Sequence, residues 1–194
     1  MIRILWFIFD NIIVEREVGQ ICKIKRGRVI NKLEIIENPG IYPVYSSQTK
    51  NEGELGRIGT YDFDGEYVTW TTDGYAGTVF YRNGKFNITN VCGLLDVNKE
   101  IVLPKYLYYY LTIEAPKYAD KTFSNGKLMS NVMKEIKISF PSIKTQEKIV
   151  KVLDNFEAIC KDLNIGLPVE EVKRQQQYGY YRDAIFNYLE NETK

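Results

Sequence analysis

A chain of 194 residues that is 44% hydrophobic, 26% charged and 13% aromatic has the composition of a folded globular protein, not of a disordered or fibrous one. It contains no histidine, and its three cysteines, Cys22, Cys92 and Cys160, make no CxxC pair; this excludes Ser-His-Asp and Cys-His catalysis, histidine acid–base chemistry and most zinc sites. Its 26 Lys and Arg against 25 Asp and Glu leave a formal charge of +1, so electrostatic binding has to come from local runs of charge.

In chain order, the apolar run Ile4 to Phe9 is interrupted by Asp10 and Asn11, far below the roughly 20 apolar residues of a membrane span. No small-residue cleavage site follows, so the expectation is a first strand or a ragged start of a cytoplasmic protein. Up to about residue 142, short β-prone segments alternate with Gly, Asn and Asp clusters. Strands are predicted at Val18–Lys25, Tyr42–Tyr45, Tyr67–Trp70, Thr78–Arg82, Phe86–Thr89, Gly93–Val97 and Glu135–Phe140. Asn83-Gly84 is predicted to be a two-residue hairpin turn, because a type I′ turn needs positive φ at both central positions. One helix is predicted at Lys105–Ile113, just after Pro104 and with Leu107, Tyr110 and Leu111 at helical spacing.

After Pro141 the period becomes helical. Ile149, Leu153, Phe156, Cys160 and Leu163 recur at steps of four and three, the spacing of a coiled-coil seam. Gly166 breaks the helix, and Pro168 opens a second one with Glu170 and Glu171 in its first turn. Tyr178, Tyr181, Ile185 and Leu189 give this helix its own stripe. Both stripes are expected to meet a second copy or a partner, with packing on the β-rich part as the alternative. The fold class expected is α+β: a β-rich domain over 1–142 followed by a long helical arm over 143–194.

Six basic residues (Arg16, Lys23, Lys25, Arg26, Arg28, Lys32) stand against one acidic residue, Glu17, between Arg16 and Leu33. Lys25, Arg26 and Arg28 flank Gly27, a composition suited to phosphate contacts. Two further loops pair hydrogen-bonding side chains with a lysine: Ser46, Ser47 and Gln48 with Lys50, and Asn125 with Lys127. A third polar turn, Thr72-Asp73-Gly74-Tyr75, joins two strongly β-prone runs. Gln48, Thr72 and Asn125 are the candidates for reading base edges, since amides and hydroxyls match them. Each loop alone also fits a solvated surface turn. No phosphate-binding glycine motif and no Asn or Asp before Pro-Pro-aromatic occurs. Asp62 and Asp64 with Glu135-Ile-Lys137 leave a small metal-dependent nuclease as an alternative, and a scaffold that binds no DNA as another.

The segments Ile24-Lys-Arg-Gly-Arg28, Tyr42-Pro-Val-Tyr-Ser-Ser47, Trp70-Thr-Thr-Asp-Gly-Tyr-Ala-Gly-Thr-Val-Phe-Tyr-Arg82 and Gly166-Leu-Pro-Val-Glu-Glu-Val-Lys-Arg-Gln-Gln-Gln-Tyr-Gly-Tyr-Tyr-Arg-Asp183 occur in this order. Pro141-Ser-Ile-Lys-Thr-Gln-Glu-Lys-Ile-Val150 leads into the helical part. Together they resemble the DNA-specificity subunit of type I restriction-modification systems, over about residues 15 to 190. The resemblance implies a target-recognition domain and a conserved helical region, of which full-length members carry two in tandem; one of each is expected here, as in a half subunit acting as a homodimer. It implies binding to a bipartite site in double-stranded DNA, helices that dock a methyltransferase subunit, and no catalytic residue, metal or cofactor in this chain. Adenine methylation, with S-adenosylmethionine, would belong to the methyltransferase, and ATP-driven cleavage to a restriction subunit. Residues 1–11 match nothing in the family. Gly179 stands where relatives usually carry a charged residue, at a helix-interior cost of about 1 kcal/mol relative to alanine.

Overall fold

The computed structural model describes residues 12–120, 122, 126–162 and 168–191. The chain runs through β1 (Val14–Glu17), α1 (Val18–Ile21), β2 (Cys22–Arg26), α2 (Lys32–Glu37), β3 (Pro39–Tyr45), a 3-10 turn (Lys50–Gly53), β4 (Glu54–Ile58) and β5 (Phe63–Thr71). It continues with β6 (Asp73–Gly74), β7 (Val79–Ile88), β8 (Cys92–Val97), α3 (Pro104–Glu114), β9 (Gly126–Lys127), α4 (Ser130–Glu135), β10 (Lys137–Phe140), α5 (Ile143–Asp162) and α6 (Pro168–Asn191). Six strands form the main sheet in the order β2-β8-β5-β7-β3-β4, antiparallel except where β3 meets β7. This is the α+β class that the change of period at residue 142 predicts.

One face of the sheet packs on the helices. Val68, Trp70, Val79, Leu95 and Val97 are buried in one cluster with Tyr106, Leu107, Tyr110 and Leu111 of α3. Trp70 fits at the centre because its neighbour on β8 is Gly93: a β-carbon there would stand 2.0 Å from the ring. The indole N–H donates to the Leu128 carbonyl at 3.0 Å, so the buried polar atom is satisfied. On the opposite face, Phe86, Ile88, Cys92 and Leu94 pack with Tyr45, Phe63 and Tyr67. The sheet coils around this second cluster until the end of β2 meets the end of β7. Arg28 bridges Thr89, and a β-carbon at Gly27 would lie 2.1 Å from the Ile88 carbonyl oxygen.

Two strand predictions are corrected. Val18–Lys25 is not one strand: the chain turns through α1 between β1, which pairs with β10, and β2, which pairs with β8. Asn83-Gly84 is not a hairpin: β7 runs straight through it, with Gly84 (φ 101°) opposite Gly65 (φ 131°). The reason is packing beyond the pair. Phe86 stacks on Phe63 at 5.6 Å and meets Tyr67 edge-on at 5.8 Å, which holds the strand in register past the glycines. The β5–β7 hairpin closes instead through residues 72–78, where Gly74 and Gly77 take positive φ.

The helical part folds back on the chain itself. Gln146 anchors its start: its amide donates to the Ile101 and Pro141 carbonyls at 3.0 and 2.8 Å and accepts from the Leu103 N–H at 2.9 Å. Ile149, Leu153, Ile185 and Leu189 are buried in the same core as Trp70. These four were predicted to face a partner and do not; the aromatic face of α3 offers them a larger apolar surface within the chain. Phe156 and Tyr181 stack on each other at 5.7 Å, which joins α5 to α6 as a hairpin. Tyr178 is half-buried and packs against the core. Leu163 lies outside the described residues, as does the side chain of Cys160. A β-carbon at Gly179 would meet nothing.

Candidate nucleic-acid interface

The predicted polar loops converge at one end of the coiled sheet. Arg26, the last residue of β2, donates through Nη2 to the Asn90 carbonyl at 2.9 Å and approaches the Thr72 hydroxyl at 3.4 Å. The Thr72 N–H donates to the Val91 carbonyl at 3.0 Å. From the other side, the Thr89 N–H donates to the Tyr45 carbonyl at 2.9 Å, and its hydroxyl donates to Ser46 at 3.1 Å. Ser47 Oγ lies 4.0 Å from where a β-carbon of Gly74 would stand, and β6 pairs Asp73 and Gly74 with Lys127 and Gly126 of β9. The turn Thr89–Cys92, closed by the Cys92 N–H on the Thr89 carbonyl at 3.0 Å, is the hub of this arrangement. No sequence motif singles it out.

The three cations of the Arg26 loop are not equivalent. Lys25 pairs with Asp96 at 3.0 Å. Arg28 is held between Glu34 (2.5 Å) and Asp62 (3.1 Å), and the hydrogen bond to Glu34 raises its pKa above the ordinary arginine value. Among the described residues Arg26 bonds to neutral oxygens only, so of the three its charge is the one not offset by a carboxylate. Lys50 and Lys127 are exposed on their loops.

The base-edge candidates also divide. Thr72 is only 1% exposed and builds the hub. Gln48 spends its amide on the Glu54 carbonyl within its own loop. Asp73 accepts from the Gly74 N–H at 2.9 Å, while Tyr75 is 66% exposed at the hairpin tip with its carbonyl accepting from Thr78. Asn125 lies outside the described residues.

Arg82 is a residue that loop-reading misses. It is 4% exposed, its guanidinium lies 3.5 Å from the Tyr45 ring centroid and 4.5 Å from that of Phe80, and Nη2 donates to the Glu52 carbonyl. Burial pushes its pKa below the ordinary value. It thereby pins a turn in which Asn51, Glu52 and Gly53 all take positive φ, and the Gly53 carbonyl accepts from the Ser46 N–H at 2.8 Å. The signal was an arginine in phase with Phe80, Phe86 and Ile88 on an inward-facing strand position.

The nuclease alternative finds no common site. Asp62 is bonded to Arg28 beside β5, whereas Lys137 pairs with Glu15 at 3.1 Å on the separate β1–β10 ribbon. Among the described residues no group of three or more acidic or cysteine side chains is placed to hold a metal ion.

Residues 13–172 match the family model described as type I restriction modification DNA specificity domain. The chain belongs to this family. It is 51% identical over 178 residues to the specificity subunit of the type I restriction enzyme MpnII of Mycoplasma pneumoniae, covering 92% of this chain and 54% of that one. It is also 51% identical over 176 residues to a second protein of that organism named as a type I specificity subunit, covering 91% of this chain and 66% of the other. The chain thus spans about half to two thirds of the length of these relatives. Among solved structures, that of the S subunit of a type I restriction-modification system from M. genitalium superposes with a TM-score of 0.67 at 20% identity, over 80% of this chain and 41% of the other. At that identity the likeness bears on the specificity-subunit fold. No helix among the described residues is long and apolar enough to cross a membrane.

Proposed function

We propose that this chain is the DNA-reading subunit of a type I restriction-modification complex, acting in the cytoplasm without a cofactor or catalytic group of its own. One observation carries the reading: three polar loops distant in sequence meet around Thr89–Val91, with an uncompensated cation at Arg26 in their midst and a fourth loop joined to them through the β6–β9 pair. Phosphate contacts at Arg26, Lys50 and Lys127 would fix the register on double-stranded DNA, and the loop side chains would select sequence. A methyltransferase subunit would dock on the helical hairpin and methylate adenine at the chosen site; a restriction subunit would supply cleavage. Self-association as a homodimer would use the side of α6 that the core leaves uncovered, where Val172 and Tyr180 are 57% and 69% exposed.

The test is a titration of the chain on a duplex drawn from sites methylated in the cell that makes it, and on a scrambled duplex, at several salt concentrations. Preference for the first duplex and a salt slope of several charges are expected. Equal affinity for both would overturn sequence reading, and binding indifferent to salt would overturn the phosphate contacts.

A further inference from the structure

We infer that Asn90 reads an adenine in the major groove; this rests on the proposed function and names the base that the site selects. Asn90 is exposed, and its carboxamide bonds to none of the described residues. Its backbone, in contrast, is held on every side. The Asn90 carbonyl accepts from Arg26, the Thr89 N–H and hydroxyl are bonded to Tyr45 and Ser46, the Val91 carbonyl accepts from Thr72, and the turn is closed from Cys92 to Thr89.

A rigid backbone carrying an unspent side chain is the arrangement that direct readout needs, because little ordering remains to be done on binding. Of the base-edge candidates in the described loops, Gln48 is already used by its own turn and Thr72 is buried. Asn90 also sits next to the phosphate-binding candidate Arg26, whose guanidinium fixes its carbonyl at 2.9 Å. A carboxamide presents one donor and one acceptor side by side. That pair matches N7 and the N6 amino group of adenine, and no other base offers the same edge in the major groove.

The experiment selects bound duplexes from a randomised pool with the 194-residue chain, first wild type and then Asn90→Ala and Asn90→Asp. Because the side chain makes no internal bond, both variants are expected to fold, and the uncharged Asn90→Ala to keep the wild-type salt slope. At one base-pair position of the selected site, repeated once per half-site in a dimer, Asn90→Ala should lower the preference for adenine by about tenfold or more and leave every other position unchanged. Asn90→Asp, which can only accept, should shift that position toward cytosine, whose N4 amino group donates. Replacing that adenine by 7-deazaadenine should weaken the wild type by a similar factor and leave Asn90→Ala unaffected.

A wild-type site that Asn90→Ala reproduces at every position, or that tolerates 7-deazaadenine, overturns this inference alone. A wild-type chain that enriches no sequence from the pool overturns the proposed function, and this inference with it.

Discussion

The guanidinium of Arg82 lies 3.5 Å from the centroid of the Tyr45 ring while donating to the Glu52 carbonyl, so one buried side chain ties a central strand to the turn that follows the Ser46–Lys50 loop. Stacking and a planar fork are both needed for this, and only arginine has both. Arg82→Ala should destabilise the chain by on the order of 2–3 kcal/mol, from the lost packing of a buried side chain and the lost bond to the Glu52 carbonyl. Arg82→Lys should recover less than half of that. Denaturant midpoints measure the loss, and amide exchange localised to residues 46–53 checks that the loop is what loosens.

The cations of the β2 loop should separate in a salt titration. Arg26→Ala should reduce the slope of log affinity against log salt by about one charge. Lys25 starts in an ion pair with Asp96, so Asp96→Asn should strengthen non-specific binding by releasing it. The same titration on a scrambled duplex measures both. Equal slopes for Arg26→Ala and the wild type would place the phosphate path elsewhere.

Burial pushes the Cys92 thiol up to about 11 and the Cys22 thiol to about 12, from 9.0. Asp96 adds to the rise at Cys22, and Thr89 and Arg82 oppose it at Cys92. Both should resist alkylation at neutral pH in the folded chain, as peptide mapping after iodoacetamide would record. The sign of the pH effect follows from the direction of the shift. Above about pH 9 the unfolded chain loses these protons and the folded chain keeps them, so the thiols' contribution to stability is complete below pH 9 and falls as pH rises through 11 to 12. Cys92→Ala should flatten that alkaline decline relative to the wild type, whatever its cost at neutral pH.

What could be read from the sequence was set by how local the causes are. The α3 helix falls within one residue of expectation at each end because Pro104 fixes its first turn and its apolar spacing is regular. The α1 turn was hidden inside a β-prone run, although Glu17 and Gln20 form a capping box there, with the Glu17 N–H donating to Gln20 at 3.1 Å. The strand-through-Gly84 geometry was not legible, because it depends on Phe63 and Phe86, 23 positions apart, finding each other. The polar loops could be listed one by one from their composition. Their meeting place could not, since Thr89 and Asn90 look like any strand end until the sheet coils them against Arg26 and Ser46.

Self-association distinguishes residues that the heptad-like spacing treats alike. Phe156 stacks on Tyr181 inside the chain, so Phe156→Asp should lower the melting temperature, because it sets a charge against an aromatic ring in the hairpin. Val172 and Tyr180 are exposed on α6, and Tyr180→Asp should leave the melting temperature of the isolated fold nearly unchanged. If α6 is the surface on which two copies meet, the wild type sediments as a dimer at micromolar concentration and Tyr180→Asp as a monomer. Two identical copies related by a two-fold axis present the same Asn90 and Arg26 to each half of the DNA. The methylated site must then be an inverted repeat with a fixed spacer, and Tyr180→Asp should abolish the requirement for the second half while keeping contacts to the first. A wild type that sediments as a monomer, or a methylated site whose halves differ, would remove the dimer from the model of assembly without touching the assignment of the reading loops.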